Sequence, residues 1–211
     1  MAEVTPDSAE TQRLLQMIRA GDRQGFEKLF ARHRPYLRQV VDMRLDPKLR
    51  SRVDPSDVVQ ETHLEAFRRL PDYLVRRPMP FRLWLRKTAY ERLLMIQRHH
   101  LQAGRRAVGR EVPLPDRSSV QLFRQLLAPG STPGAQMAKA ELARRVRQAV
   151  ARLSEIDREV LLMRNLEGLS NHEVAQVLEI EPAAASQRYG RALLRLRKLL
   201  LAGGYSESNH D

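Results

Sequence analysis

Residues 170–201 read SNHEVAQVLEIEPAAASQRYGRALLRLRKLLL, and this stretch decides the fold. Ser170 followed by Glu173 is a capping box, in which each side chain satisfies a backbone N–H that the first helical turn leaves over. The helix it opens is short and carries Val174 and Leu178. Glu179-Ile180-Glu181 then turns the chain, and Pro182 suits the first position of a longer helix. Two helices across so tight a turn make a helix-turn-helix pattern. In the longer helix Arg188, Arg191, Arg195 and Lys198 share one face, while Tyr189, Leu193, Leu196 and Leu200 form a second stripe about 100° away. One stripe can pack on its own domain while the other meets phosphate. The N-terminal part of such a helix normally enters the major groove. Here it offers Ser186, Gln187 and Arg188; Gln can read adenine and Arg can read guanine. The candidate contacts to double-stranded DNA are Ser186, Gln187, Arg188, Arg191 and Arg195. An amphipathic helix with a solvated basic face is the competing reading.

Upstream of this stretch, Ser154 with Asp157 starts another helix, with Ile156, Val160 and Met163 at apolar positions and Gly168 at its end. Leu142, Val146, Val150 and Leu153 line one before it. Further back, residues 101–136 lose all periodicity and are punctuated by Gly104, Gly109, Pro113, Pro115, Pro129, Gly130, Pro133 and Gly134. A structureless connection this long rarely lies inside one compact domain. The chain therefore divides into a helical domain at 1–100, a linker at 101–136, a second helical domain at 137–203 and a tail at 204–211.

In the first domain Asp7 with Glu10 reads as a helix start, and Leu14, Leu15 and Ile18 as its apolar face. Ala20-Gly21-Asp22 stops that helix and caps the next, which carries Phe26, Leu29, Phe30, Leu37, Val40 and Val41; Pro35 is expected to kink or split it. Asp54-Pro55-Ser56-Asp57 is a second strong start, with Asp54 as N-cap and Pro55 as first helical residue. Pro71 is expected to end that helix. A further helix from near Pro80 to about His100 has the stripe Phe81, Leu85, Ala89, Leu93 and Ile96, with Trp84 beside it.

Two stretches of this domain carry chemistry. Asp57 and Glu61 are spaced i, i+4 with Gln60 between them. Macrodipole and capping account for Asp57, but not for Gln60 and Glu61, so a protein-binding face is the better reading. In the last helix Arg82, Arg86, Lys87, Arg92 and Arg98 interleave with Phe81, Trp84 and Tyr90, a pattern suited to single-stranded nucleic acid. Phe81 and Trp84 read as core and Tyr90 as exposed. Adjacent His99 and His100 point in different directions on a helix and make a poor metal site.

The 211 residues carry 37 Lys and Arg against 25 Asp and Glu, a formal charge of +12. So large a surplus is an argument about partners, and the first of these is a polyanion. There are no cysteines, which excludes disulfides, thiolate metal sites and cysteine nucleophiles. The polar, acidic start is unlike a signal peptide, and no apolar run approaches a membrane span. A cytoplasmic, non-enzymatic, all-α protein without cofactor, metal or membrane partner is expected; no catalytic residues stand out.

Taken in order, these stretches resemble the extracytoplasmic-function class of the sigma-seventy family. Ala20-Gly21-Asp22 with Phe26 and Leu29-Phe30 looks like the start of region two. Asp54-Pro55-Ser56-Asp57-Val58-Val59-Gln60-Glu61-Thr62 looks like its polymerase-binding helix, and Phe81-Arg82-Leu83-Trp84-Leu85 like its promoter-melting segment. Residues 153–162 and Glu167-Gly168-Leu169-Ser170 look like region four. The resemblance implies an alternative sigma factor that binds core RNA polymerase, directs it to promoters and assists opening. Asp57, Gln60 and Glu61 would face polymerase. Arg82, Arg86, Tyr90 and Arg98 would meet the minus-ten element and the melted non-template strand, and the helix from Pro182 the minus-thirty-five element. An anti-sigma protein is a further partner of this class. The chain departs from the family at Ala183-Ala184-Ala185-Ser186, where Gly-Thr-Val-Lys is frequent, and at Glu91 and Met95, where Asn and Asp are frequent. The alternative is a helix-turn-helix regulator that binds DNA without core polymerase.

Overall fold

The structure is a computed structural model and describes residues 7–46, 49–104, 145–146 and 148–202. Every regular element among the described residues is a helix. They fall into two compact units; of the linker expected at 101–136, residues 101–104 are helical and 105–136 lie outside the described residues.

The first unit holds α1 (Ala9–Arg19), α2 (Arg23–Arg44), α3 (Pro55–Arg76) and α4 (Phe81–Gly104). Leu14 and Leu15 of α1, Phe26, Leu29, Leu37 and Val41 of α2, Val58, Val59, Ala66 and Leu70 of α3, and Phe81, Leu85, Ala89 and Leu93 of α4 close one core. A ring cluster finishes one end: Tyr73 lies 4.6 Å from Trp84 and 5.4 Å from Phe81, centroid to centroid. The Tyr73 hydroxyl donates to the Met79 carbonyl at 3.1 Å, and burial pushes its pKa up.

Three expectations about helix ends are corrected. Ser8, not Asp7, caps α1 by accepting the Thr11 N–H at 3.2 Å. Asp7 instead caps α4: its carboxylate accepts the Phe81 N–H at 2.8 and 3.1 Å, across 74 positions. Pro80 precedes Phe81 and has no side-chain acceptor, so this cap must come from elsewhere. Arg19, at the other end of α1, donates to the Leu74 carbonyl of α3. Secondly, α2 runs unbroken through Pro35, and thirdly α3 runs through Pro71. An interior proline deprives the carbonyl four residues earlier of its donor. Those carbonyls belong to Ala31 and Phe67, and both residues, like both prolines, are exposed, so water can replace the lost donor. α3 ends instead at Arg77, in the left-handed region at φ 38°, with Pro78 after it. α4 continues four residues beyond its expected end near His100.

The second unit holds α5 (Glu155–Asn165), α6 (Asn171–Leu178) and α7 (Pro182–Ala202), preceded by helical residues at 145–146 and 148–151. Val146, Ala149, Val150 and Leu153 pack with Leu161, Ala192 and Leu196; Leu142, expected beside them, lies outside the described residues. Ser154 accepts the Asp157 N–H at 3.2 Å. Arg158 donates to the carbonyls of Val150 and Ala151 at 3.3 and 3.0 Å, closing the preceding helix with a cation. The capping box is present: Ser170 accepts the Glu173 N–H at 3.2 Å, and Glu173 accepts the Ser170 N–H at 2.7 Å. Glu179, left-handed at φ 55°, makes the turn into α7.

Candidate polymerase and nucleic-acid interfaces

α3 begins with Asp54 accepting the Ser56 N–H at 2.7 Å, a bond that holds the Asp54 carboxyl below its ordinary pKa. One turn on, Asp57 and Gln60 are exposed. Glu61 is not a free carboxylate: its Oε2 accepts from Arg92 Nη2 of α4 at 2.6 Å, and its side chain is 43% exposed. The exposed side of α3 continues from Gln60 through Leu64, Phe67, Pro71 and Val75, at i, i+4, i+7, i+11 and i+15. Leu64 is 64%, Phe67 53% and Val75 85% exposed. Large apolar groups in a row on a helix face are the signature of a docking surface. The Asp-Gln-Glu spacing drew attention to the start of this stripe; its apolar extension escaped notice because Leu64 and Phe67 look like core residues in a sequence.

Of the α4 residues expected at nucleic acid, Arg98 is exposed, Arg82 and Tyr90 are half-buried, and Arg86 is fully buried. Arg86 is the correction. Leu83, Leu85, Thr88 and Ala89 are buried around it, so α4 is enclosed nearly all round here and the guanidinium has no way to the surface. It lies 5.9 Å from the Tyr90 ring centroid, as does that of Arg44. The two cations hold the Tyr90 ring, which explains why Tyr90 is less exposed than expected. The Arg82 guanidinium stands 5.5 Å from the Tyr36 ring. Trp84 is half-buried against the core. Adjacent Glu91 accepts from Arg69 of α3 at 2.7 Å. The rings of His99 and His100 touch edge to face at 5.6 Å.

On α7, Ala185, Ala192 and Leu196 are buried, with Tyr189, Leu193 and Leu200 packed beside them, so the apolar stripe lies where its spacing puts it. The Tyr189 hydroxyl donates to Asn165 Oδ1 at 3.1 Å. Ser186, Gln187 and Arg191 are exposed and Arg188 is half-buried. Arg191 donates to Gln187 Oε1 at 3.0 Å, which places amide and guanidinium side by side. Arg195, expected as a phosphate contact, is ion-paired with Asp157 of α5; its own side chain is 57% exposed and that of Asp157 7%. A buried carboxylate at that point demands a cation, and Arg195 supplies it.

The long-range partners of two residues were not foreseen. Asp7 carried a local capping pattern that pointed to the wrong helix; the missing acceptor before Phe81 was the available sign. Arg92 is separated by 31 positions from Glu61, and no local spacing signals such a pair.

Residues 143–196 match the family model described as Sigma-70, region 4, a span that contains the capping box, the turn and most of α7. The chain is 30% identical over 182 residues to RNA polymerase sigma factor CnrH of Cupriavidus metallidurans, covering 86% of this chain and 89% of that protein. It is 27% identical over 193 residues to the ECF RNA polymerase sigma-E factor of Haemophilus influenzae, covering 91% and 94%. The solved structure of CnrH in complex with the cytosolic domain of CnrY is similar with a TM-score of 0.58 at 25% identity, covering 92% of this chain and 99% of that one. The likeness runs through both helical units, and the chain belongs to the extracytoplasmic-function sigma factors of the sigma-70 family.

Proposed function

We propose that this alternative sigma factor docks core RNA polymerase through the exposed side of α3 and meets promoter DNA with α4 and α7. The observation that carries the polymerase contact is the stripe Gln60, Leu64, Phe67 and Val75, exposed beside Asp57. A regulator that only binds DNA has no use for it. On α4, Arg98, Arg82 and Tyr90 are the residues for the minus-ten element and the opened strand. On α7, Ser186, Gln187, Arg188 and Arg191 are the residues for the minus-thirty-five element, with no carboxylate along 186–201 to repel phosphate. Such a factor works where polymerase and chromosome are, in the cytoplasm.

The test is a titration of labelled core polymerase with full-length protein. Gln60→Ala with Leu64→Ala removes two exposed side chains and should leave the melting temperature near wild type. Core affinity should fall tenfold or more, about 1.4 kcal/mol per decade. A folded double mutant that binds core as wild type does would remove the α3 stripe from the polymerase contact.

A further inference from the structure

Arg92 is a basic residue of α4 to which the proposed function gives no role. Its guanidinium donates to Glu61 at 2.6 Å, and its side chain is 25% exposed. Its other terminal nitrogen rests 3.7 Å from Met95 Sδ, a weak acceptor. The neighbouring carboxylate, Glu91, is engaged with Arg69. Glu61 is thus the carboxylate that neutralises Arg92. Both line one cavity of about 410 Å³, together with Arg52, Asp57, Met95 and His99. Arg92, Met95 and His99 lie at i, i+3 and i+7, so the stripe they form leads from the seam between α3 and α4 to the exposed side of α4.

We propose that Arg92 is a further contact to the phosphate backbone of the melted strand, and that Glu61 withholds it until polymerase engages Glu61. The proposal rests on the polymerase-facing reading of α3. Part-exposed ion pairs are weak, so the exchange is easy. Glu61 passes from Arg92 to a cation of polymerase, Arg92 passes from Glu61 to a phosphate, and no charge is left unpaired at the end. The free protein keeps this cation masked; the assembled one presents it.

The experiment needs no polymerase in its first arm. Binding of full-length protein to a short labelled single-stranded DNA is measured over a range of salt. Glu61→Gln keeps the shape of the side chain and removes its charge. One added phosphate contact should steepen the log–log salt slope by about 0.7 and raise affinity about fivefold at 0.1 M salt. Arg92→Ala in the same chain should abolish that gain. Asp57→Asn, the same change of charge on the same cavity, should leave the slope alone. An unchanged slope in Glu61→Gln, a gain that survives Arg92→Ala, or an equal change in Asp57→Asn overturns the proposal. In the second arm Arg92→Ala, with Glu61 intact, is assembled with core polymerase on a promoter, where the open complex should dissociate at lower salt than wild type; equal salt resistance overturns the proposal as well. Core titration of Glu61→Gln separates the two readings. Undiminished core affinity removes Glu61 from the polymerase contact and with it the exchange, whereas the loss of the slope effect alone leaves the polymerase face standing.

Discussion

α3 and α7 are helices of nearly equal length, 22 and 21 residues, and they spend their exposed sides differently. α3 presents Leu64, Phe67 and Val75 beside Asp57 and Gln60, with Glu61 and Glu65 tied to arginines. α7 presents Gln187, Arg191 and Lys198. An apolar side with few free charges gains by excluding water, which suits a protein partner. A basic side gains by releasing counterions, which suits a nucleic acid. The chain's net charge of +12 conceals this contrast, because it averages one helix with the other.

The largest expected effect breaks the comparison from the α3 side. Leu64→Lys places a charge at the middle of the apolar stripe and should lower core affinity more than the tenfold expected of the alanine pair, since repulsion joins lost contact. Duplex binding by the α7 side, measured without core, should not fall. A parallel loss of both would mean that the two helices serve one partner.

From the α7 side, Arg188→Ala should cost about 1–3 kcal/mol in discrimination between cognate and scrambled upstream elements, if Arg188 reads a base. Arg191→Ala should weaken all duplexes alike and lower the log–log salt slope by about 0.9. Competition binding at several salt concentrations measures both, and identical behaviour of the two mutants would erase the distinction between reading and anchoring.

Arg195→Ala sharpens the comparison within α7. Because Arg195 holds Asp157, its loss should appear in the melting curve of the α5–α7 unit, by about 1 kcal/mol or less given how exposed the arginine is. Weaker DNA binding with an unchanged melt would return Arg195 to the phosphate-contacting side.

The smallest effect concerns acid. Burial first, then Arg32 and Arg82, lowers the pKa of His33 from 6.5 to about 4. The unfolded chain therefore takes up a proton that the folded one refuses between those values. The stability His33 contributes is fully present above pH 6.5, is lost as the pH falls toward 4, and changes no further below that. His33→Gln should flatten this limb in urea titrations run from pH 7 to 4, and an acid limb of unchanged steepness would place its origin elsewhere.

The caps at Asp54, Ser154 and Ser170 were legible because capping is a matter of three or four neighbouring residues. The buried stripes of α4 and α7 were legible because 3.6-residue periodicity is local too. Pro71 was misread as a helix end, and α2 is not split at Pro35, because a proline's cost depends on whether the freed carbonyl faces water, and that is decided by packing. The arginines show the limit most clearly. Arg86, Arg92, Arg98 and Arg195 are alike as letters, yet one is enclosed, two are paired with carboxylates 31 and 38 positions away, and one is exposed. Which of them is available to a phosphate depends on long-range partners that no spacing rule contains.

The cap that Asp7 places on α4 ties that helix to a residue 74 positions before it. During synthesis Asp7 leaves the ribosome long before Phe81, so the first turn of α4 stays open until the intervening helices have brought the two ends together. The same tie reaches into practice. Asp7→Ala removes about 1 kcal/mol of capping from α4, and a defect at α4 would then be seen in a protein whose α4 residues are all intact.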